Sequence, residues 1–173
     1  FIFRTREFEQ MEMQYFVNPK EAEMYYEKWR EARWNFYLNL GLKEENLKWH
    51  EHENLVFYAK KAYDVEYNFP FGFKELEGVH YRGDYDLTQH GNSSGKDFTY
   101  LDQANNEKFV PHVVETSAGV GRTFLAVISD AYNEEQLEGD DTRIVLKLNP
   151  KLAPIKVAVF PLLKNKPELV AKA

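Results

Sequence analysis

The sequence predicts an α+β domain built on a largely antiparallel sheet. Its 173 residues suit one domain with part of a second. Hydrophobic residues make up 43% of the chain and aromatic residues 16%, which is enough for a packed core. Strand-like segments come in runs, with helical segments interspersed among them. That order is typical of α+β folds with antiparallel strands.

The composition excludes several kinds of function. The chain contains no cysteine, which rules out disulfides, Cys-ligated zinc, iron–sulfur clusters and thiol nucleophiles. No apolar run reaches the roughly 18 residues that a membrane span requires. No signal peptide is visible either, so we expect a soluble, cytoplasmic protein without a membrane partner. The formal net charge of −6 leaves no broad basic footprint for nucleic acid, so RNA contacts must come from local patches or from other segments.

The two ends of the chain lead us to expect an excerpt of a longer protein. The sequence opens without an initiator Met, directly in alternating residues. Near the other end, 155–160 reads as a buried strand, 161–165 as a turn and 166–173 as the first turns of a helix. A strand followed by a helix is half of a βαβ unit and cannot bury its own faces. We therefore assign 1–150 to one domain and 151–173 to the start of another.

The first predicted element is a strand over 2–16. Alternate residues of a strand point to opposite faces, so one face would pack through Met11, Met13 and Tyr15. The other face would display a row made of Arg6, Phe8, Gln10 and Glu12. Basic, aromatic and acidic side chains in one line suggest a platform for a ligand, with an ordinary solvated face as the alternative.

A helix is predicted next, between Pro19 and Gly41. Asn18 is a good N-cap, Pro19 suits the first helical position, and Gly41 can end the helix. An apolar stripe at helical spacing predicts the side that faces the core, and it comprises Met24, Tyr25, Trp29, Ala32, Arg33, Phe36 and Leu40.

The remaining elements follow in order. We expect strands over 47–52, 64–68, 73–79, 98–101, 109–115 and 143–148. We expect helices over 54–62, 84–90 and 122–132, the last one buried. Turns and loops are expected at 69–72 and 91–95, and a solvated acidic linker at 133–141. Within 73–79, alternation would put three residues on one face, Phe73, Glu75 and Glu77, and Gly78 indicates a bulge or a close backbone approach.

Three small motifs are compatible with chemistry but have ordinary explanations. His50 and His52 could bind a metal, but a site needs three or four ligands and the spacing fixes no third one. Gly119-Val-Gly-Arg122 lacks the Lys-Ser/Thr ending of a Walker loop, although amides and an arginine at a helix N-terminus suit an anion. Ordinary hydrogen bonding is the better interpretation of the scattered histidines, His80, His90 and His112.

In combination, these motifs resemble class II aminoacyl-tRNA synthetases. A strand with Arg-x-Phe-x-Gln-x-Glu, followed much later by Gly-x-Gly-Arg at the start of a helix, is similar to motifs 2 and 3 of that class. Longer segments resemble the homodimeric glycyl-tRNA synthetases in particular, namely 3–12, 75–78, 84–87 and 115–122. Residues 152–161 are similar to the start of the anticodon-binding domain of that family.

The resemblance implies a fold and an activity. The fold would be a class II synthetase-like antiparallel sheet flanked by helices, with the first strand and helix of an α/β anticodon-binding domain at its C-terminus. The activity would be ATP-dependent activation of glycine and transfer of the glycyl group to tRNA(Gly) by a homodimer that uses Mg²⁺. Motif 1 and the Arg-x-Glu strand of motif 2 are absent from the sequence. We therefore expect the 173 residues alone to have little or no aminoacylation activity.

The resemblance also implies individual roles in ATP binding. The residues that match the ATP-binding segments of the family are Phe3, Arg4, Thr5, Arg6, Glu7, Phe8, Glu75, Leu76, Gly119, Val120, Gly121 and Arg122. Phe8 and Arg122 match the pair that encloses the adenine. Arg4 and Arg6 match the segment that reaches the triphosphate, and Arg6 and Arg122 match the catalytic arginines. Glu75 matches a position that could help to hold Mg²⁺.

For glycine, the matching residues are Phe8, Glu9, Gln10, Met11, Glu12, Glu115, Thr116, Ser117, Ala118 and Gly119. Glu12 and Glu115 would hold the ammonium group, and Ser117 would fill the space beside the α-carbon. A methyl group is worth only about 1–3 kcal/mol to an apolar pocket, so such a site must select glycine by excluding larger side chains.

Two alternatives stay open. One is a synthetase-like protein that binds or regulates without catalysis, although it would not need to retain Arg6, Phe8, Glu12, Glu115 and Arg122. The other is a class II synthetase for a different small amino acid, such as serine or alanine. The synthetase interpretation requires that Phe8 and Arg122 share one cleft.

Overall fold

The computed structural model describes residues 2–55 and 57–173, and in them the α+β class with an antiparallel sheet is confirmed. Phe1, at the start of the predicted first domain, and Val56, inside the predicted helix over 54–62, lie outside the described residues. The elements are β1 (Gln10–Val17), α1 (Ala22–Leu40), a 3₁₀ turn (Glu44–Asn46), β2 (Leu47–Glu51), β3 (Lys61–Phe69), β4 (Gly72–Gly83), α2 (Tyr85–Ser94), β5 (Tyr100–Asp102), β6 (Glu107–Phe109), β7 (His112–Gly119), α3 (Val120–Ala131), β8 (Tyr132–Gln136), β9 (Thr142–Leu146) and α4 (Pro167–Lys172).

Five strands form the main sheet in the order β1-β7-β4-β3-β2, and every neighbouring pair is antiparallel. One face of this sheet is apolar and packs on α1 and α3. Tyr26 and Tyr37 of α1 are fully buried there, as is Ala126 of α3. The hydroxyl of Tyr26 donates to the carbonyl of Val79 on β4 at 3.2 Å, which fixes the helix over the middle of the sheet. The other face carries the polar side chains of the site.

Helix α1 begins later than predicted. The carbonyl of Asn18 accepts a hydrogen bond from the amide of Glu21 at 2.9 Å, and its side chain accepts one from the amide of Lys20 at 3.0 Å. Asn18 therefore closes a turn before the helix and is not its N-cap. The predicted end is confirmed, because Gly41 has a φ of 97° and stops the helix in a left-handed conformation.

The buried stripe of α1 is also rotated from the predicted one. Ala22, Tyr26 and Tyr37 are buried, whereas Met24 is 56% exposed. The tyrosine rings fill the space above the sheet, and Arg33 reaches the sheet through an ion pair with Glu77 at 2.6 Å. Other members of the predicted stripe are half-buried, namely Tyr25, Trp29, Phe36 and Leu40.

Strand β1 begins at Gln10 and not at residue 2. Its partner β7 ends at Gly119, which lies opposite Gln10, so the preceding residues have no strand beside them to pair with. The predicted alternation holds from Met13 onward, since Met13 and Tyr15 are half-buried toward α1. Met11 is 39% exposed.

The strands β2 and β3 confirm the predictions over 47–52 and 64–68. The predicted helix over 54–62 is wrong in its described part, because 57 and 58 form a turn and β3 already begins at Lys61. The pairing of β3 with β4 supplies backbone partners that a helix over 61–62 would lose.

A bulge in β4 separates residues that were predicted to share a face. Val65 pairs with Glu77 and Glu66 pairs with Glu75, so Leu76 has no partner across the ladder. Leu76 packs in the core beside Tyr37, and Glu77 also reaches α1. Glu75 therefore projects from the polar face of the sheet, whereas Glu77 projects from the face that packs on the helices.

In the second half of the chain, three predicted boundaries move. Helix α2 continues through the predicted loop at 91–95 and ends at Gly95. The predicted strand over 109–115 is two strands, β6 and β7, separated at Pro111, which has no amide hydrogen for a ladder. Helix α3 covers the predicted helix except Tyr132, which begins β8, and with Phe124 67% exposed the helix is buried on one side only.

The predicted acidic linker over 133–141 is instead part of a hairpin of β8 and β9. One of its acidic residues, Glu135, is paired with basic residues across the hairpin, Arg143 at 2.7 Å and Lys147 at 3.0 Å. Such cross-strand pairs stabilise a two-stranded sheet. The predicted strand β9 is confirmed.

The last segment forms the predicted helix, α4, but not the predicted strand over 155–160. No strand lies beside this segment in the described part of the chain. Its apolar side chains are 67% to 82% exposed, namely Ile155, Val157, Val159 and Phe160. No helix in 2–55 or 57–173 is both long enough and apolar enough to cross a membrane.

Candidate active site

A cleft of about 630 Å³ opens where the chain enters β1 and leaves β7. Its walls come from the segment before β1, from the end of β7 and the start of α3, and from Glu75 of β4. The two distant segments meet because β1 and β7 are paired, with Gln10 opposite Gly119. The amide of Val120 continues this contact by donating to the carbonyl of Glu9 at 3.0 Å.

Arg122 lies at the first turn of α3 and is fixed from several sides. Its guanidinium stacks on the ring of Phe3, with its central carbon 4.6 Å from the ring centre. It donates to the carbonyl of Glu75 at 3.0 Å, and one of its nitrogens lies 3.4 Å from the carboxylate of the same residue. Phe3 is held in turn by edge-to-face contacts with Phe69 and Phe71. The guanidinium is therefore positioned before any ligand binds.

Phe8 lines the same cleft as Arg122, as the synthetase interpretation requires. Its side chain is 66% exposed, so a face of the ring is available to a planar ligand. The ring that stacks on Arg122 within the chain is Phe3. The sequence did not predict that supporting contact.

Beside the cleft, polar side chains from four strands form a continuous strip on the open face of the main sheet. We call this the polar strip. The registers of β1, β7, β4 and β3 bring its members side by side, namely Gln10, Glu12, Gln14, Asp64, His80, Arg82, Glu115 and Ser117, with Gly78 between Asp64 and Ser117.

Glu115 is at the centre of the polar strip and is only 6% exposed. One nitrogen of Arg82 lies 3.1 Å and 3.2 Å from its two oxygens, and Nδ1 of His80 lies 3.7 Å away. His80 and Arg82 hold the pKa of Glu115 below its usual range, although burial acts in the opposite direction. Glu115 is therefore a buried carboxylate that stays charged at neutral pH.

Arg82 also bridges the sheet to α2. It donates to both oxygens of Asp86, at 2.8 Å and 3.1 Å. Hydrogen bonds from Arg82 lower the pKa of Asp86. This two-sided grip fixes the guanidinium, and through it the orientation of Glu115.

The outer edge of the polar strip is held by two glutamines of β1. Gln10 donates to the hydroxyl of Ser117, and Gln14 donates to Glu12 at 3.0 Å and to Glu115 at 3.4 Å. Glu12 lies opposite Ser117 in the ladder and is exposed. Two carboxylates and a hydroxyl thus surround a small region suited to a compact cation.

Residues 2–132 match the family described as the tRNA synthetase class II core domain (G, H, P, S and T). The chain belongs to this family. It is 54% identical over 172 residues to a glycine–tRNA ligase of Treponema denticola, a match that covers 95% of the chain and 38% of the ligase. It is 52% identical over 182 residues to a glycine–tRNA ligase of Streptomyces coelicolor, covering 100% of the chain and 39% of that ligase. The chain thus spans less than half the length of these relatives.

A solved structure with the same fold is the seryl-tRNA synthetase from Pyrococcus horikoshii complexed with ATP. It superposes with a TM-score of 0.63 over 76% of this chain and 29% of that chain, at 18% sequence identity. The five-stranded antiparallel sheet is therefore the sheet of a class II synthetase core domain.

Most of the residues for which the resemblance implied ATP contacts do line the cleft of this core domain, but two do not. Leu76 is buried in the core under α1, because the bulge turns it away from the cleft. Arg6 is exposed on the same segment, outside the cleft wall. Those that line the cleft are Phe3, Arg4, Thr5, Glu7, Phe8, Glu75, Gly119, Val120, Gly121 and Arg122.

The residues for which the resemblance implied glycine contacts divide between the two faces of the sheet. Thr116 and Ala118 are buried on the face that packs on the helices, and Met11 lies opposite Ala118. Their side chains are turned away from the polar strip because strand residues alternate. Those on the strip or in the cleft are Phe8, Glu9, Gln10, Glu12, Glu115, Ser117 and Gly119.

Of the three histidines predicted to make ordinary hydrogen bonds, His112 does so, and His52 also has an ordinary partner. Nε2 of His52 lies 2.8 Å from Asp64, and the described residues hold no group of three His, Cys, Asp or Glu side chains that could bind a metal. Nδ1 of His112 is paired with the hydroxyl of Tyr81 at 2.6 Å. His80 faces Glu115 and Asp64 and so belongs to the polar strip. The period-two spacing of Gly78, His80 and Arg82 is the signal that could have revealed their shared face.

Proposed function

We propose that this chain forms the active-site core of an enzyme that activates glycine with ATP and transfers it to tRNA(Gly). The observation that supports this proposal most strongly is that the cleft lined by Arg122 adjoins the polar strip, in which Glu115 is buried and charged. The names of the relatives, which are glycine–tRNA ligases, support glycine as the amino acid.

ATP would occupy the cleft. The exposed ring of Phe8 offers a stacking surface for adenine, and the guanidinium of Arg122 offers a second one, an arrangement worth about 1–2 kcal/mol. Arg4 in the cleft wall and Arg6 beside it supply guanidinium groups, which match phosphate oxygens in shape and charge. Exposed amides at the start of α3 favour the same negative charge.

Glycine would lie on the polar strip with its ammonium group between Glu12 and Glu115. Arg82 and Gln14 keep Glu115 in place, so the ammonium meets a preorganised charge. Ser117 and the neighbouring Gln10 close the space beside the α-carbon. A larger amino acid would have to displace this ladder of hydrogen-bonded side chains, which gives a physical reason for glycine selectivity.

In the first step, a carboxylate oxygen of glycine attacks the α-phosphorus of ATP. The bond from that phosphorus to the bridging oxygen breaks, and pyrophosphate leaves with the electron pair. In the second step, a hydroxyl of the terminal adenosine of tRNA attacks the glycyl carbonyl carbon, and AMP leaves. No side chain acts as a nucleophile, since Arg4, Arg6 and Arg122 contribute positioning and neutralise charge.

Mg²⁺ fits one feature of the cleft. Magnesium in nucleotide sites commonly takes one or two carboxylates together with phosphate oxygens, and Glu75 presents one carboxylate at the cleft wall. When bound there, the ion would neutralise charge on the phosphates.

The same proposal includes the homodimer and the cytoplasmic location that the resemblance implies. It places residues 1–150 in the catalytic domain and 151–173 at the start of the anticodon-binding domain.

The test uses a hybrid enzyme, in which this chain replaces the matching segment of the Treponema denticola ligase. We expect ATP–pyrophosphate exchange that depends on glycine and is at least about 100-fold weaker with alanine or serine, because the site excludes larger side chains. Exchange driven by serine or alanine would identify a synthetase for another amino acid. A folded hybrid without any exchange would favour a binding or regulatory protein.

A further inference from the structure

The polar strip contains a histidine that the proposed chemistry does not use. The imidazole of His80 lies between two carboxylates, with Nδ1 3.7 Å from Glu115 and Nε2 3.9 Å from Asp64. Its side chain is three-quarters buried. Each ring nitrogen therefore faces a carboxylate that is itself largely shielded from water.

Gly78 makes this ring position possible. A Cβ at residue 78 would lie 3.0 Å from both Cε1 and Nε2 of His80 and 3.5 Å from Asp64. Residues 78 and 80 share a face of β4, so the ring lies back over the glycine. The predicted close approach at Gly78 is thus an approach by a side chain.

The far carboxylate is fixed as well. Asp64 is 8% exposed and is paired with His52 at 2.8 Å. Asp64 therefore cannot turn away from His80 without losing the His52 contact. The result is a row across three strands, from His52 through Asp64 and His80 to Glu115.

We propose that His80 is a positioning residue for amino-acid binding, which holds the Glu115 carboxylate toward the amino group of the substrate. Arg82 and Gln14 also contact Glu115, and His80 contacts it from the neighbouring position on β4. Burial raises the pKa of Asp64, which is consistent with a carboxylate that depends on its histidine partners. This inference rests on the proposed role of Glu115 in binding the ammonium group.

The experiment compares His80→Ala and His80→Asn in the hybrid enzyme. The amide nitrogen of asparagine occupies nearly the place of Nδ1, so it can still donate toward Glu115. We expect His80→Ala to raise the KM for glycine about tenfold, because Glu115 would lose one of the contacts that orient it, with the KM for ATP unchanged. His80→Asn should recover most of this loss. The control His50→Asn, at an exposed position on β2, should leave both constants unchanged.

Three outcomes would overturn the inference. One is an unchanged KM for glycine in His80→Ala, and another is an equal rise in the KM values for glycine and ATP. The third is a His80→Asn variant as impaired as His80→Ala, because that would indicate a role in packing alone. If the unsubstituted hybrid shows no glycine-dependent exchange, the proposed function fails first, and the inference fails with it.

The contact itself can be tested separately on the 173-residue chain by ¹⁵N NMR of the imidazole rings. We expect a hydrogen on Nδ1 of His80, and we expect Glu115→Gln to shift that nitrogen while the nitrogens of His112 stay in place. A His80 ring with hydrogen on Nε2 alone, or one insensitive to Glu115→Gln, would contradict the contact.

Discussion

Glu115 concentrates the electrostatics of the site in a single side chain. It is buried, it is charged, and three side chains from two strands converge on it. A buried carboxylate costs free energy unless it is fully paired. The side chains that contact Glu115 are therefore needed to keep it buried and charged.

We expect Glu115→Gln in the hybrid enzyme to reduce kcat/KM for glycine by at least about 100-fold, because a neutral amide cannot pair with an ammonium ion. The KM for ATP should stay within about twofold, since Glu115 does not line the cleft that we propose for ATP. Steady-state exchange kinetics measure both constants. Glu53→Gln, at an exposed position, serves as the control, and an unchanged KM for glycine would contradict the assignment.

His112 gives the fold a dependence on pH. Burial and the nearby Lys60 lower its pKa below the usual range, so the folded state disfavours the charged ring. The unfolded state then binds more protons, and the free energy of unfolding should fall as the pH drops below about 6.5, by at most about 1.4 kcal/mol per unit. Urea unfolding at several pH values measures this slope.

The matched variant is His112→Asn, whose carbonyl oxygen can still accept the hydrogen bond from Tyr81 but cannot titrate. Its slope between pH 7.5 and 5.5 should be shallower than that of the parent chain. His90→Asn, at an exposed histidine, should keep the parent slope. Identical slopes in all three proteins would show that His112 is not the group responsible.

At the scale of elements, a buried ion pair joins helix α1 to the sheet. Glu77 is 1% exposed and contacts Arg33 at 2.6 Å. Its second oxygen has no hydrogen-bond partner among the described residues. The charge of Glu77 is therefore compensated mainly by Arg33.

Removing Arg33 should leave a buried charge unpaired. We expect Arg33→Met to lower the free energy of unfolding by about 3–5 kcal/mol, whereas the double variant Arg33→Met with Glu77→Leu should regain most of it. Lys28→Met, on the exposed side of α1, should change stability by less than about 0.5 kcal/mol. Chemical denaturation of the four proteins compares their free energies of unfolding, and a double variant no more stable than Arg33→Met would argue against an unpaired Glu77 charge as the cause.

How far the sequence predicted the elements depends on whether the deciding contact is local. The end of α1 follows from Gly41 alone, and the strands β2 and β3 follow from their own patterns. The start of β1 does not, because Arg4, Arg6 and Phe8 alternate like a strand but β7 ends opposite Gln10. The hairpin of β8 and β9 was missed because the acidic composition suggested a solvated linker, whereas Glu135 is paired with Arg143 and Lys147 across the hairpin.

At the scale of the whole molecule, the sequence motifs predicted which distant segments meet at the candidate site. Gln10 and Ser117 are bonded although 107 positions separate them, and the motifs pointed to that convergence. The Phe3 ring on Arg122 and the His80 contact with Glu115 could not be predicted. Both are contacts between side chains that are far apart in the sequence, and no local pattern shows them.

The C-terminal residues contribute little to the stability of the rest. We expect deletion of 151–173 to change the melting temperature by less than about 3 °C, because the apolar side chains there are mostly exposed and few contacts are lost. Differential scanning calorimetry measures this. Deletion from residue 142 onward is the comparison, since it removes β9 and should destabilise the fold clearly. A large effect of the shorter deletion would show that 151–173 packs on the domain.

The unpaired Leu76 has a consequence for how this sheet can evolve. In a regular strand, Glu75 and Glu77 would project on the same side. The helix would then either cover two negative charges or lose its ion pair with Glu77. Because Leu76 is one additional residue in the ladder, Glu75 projects toward the cleft and Glu77 projects toward helix α1. Each can therefore be exchanged without moving the other, whereas shortening the strand by one residue would disturb ligand contact and helix attachment together.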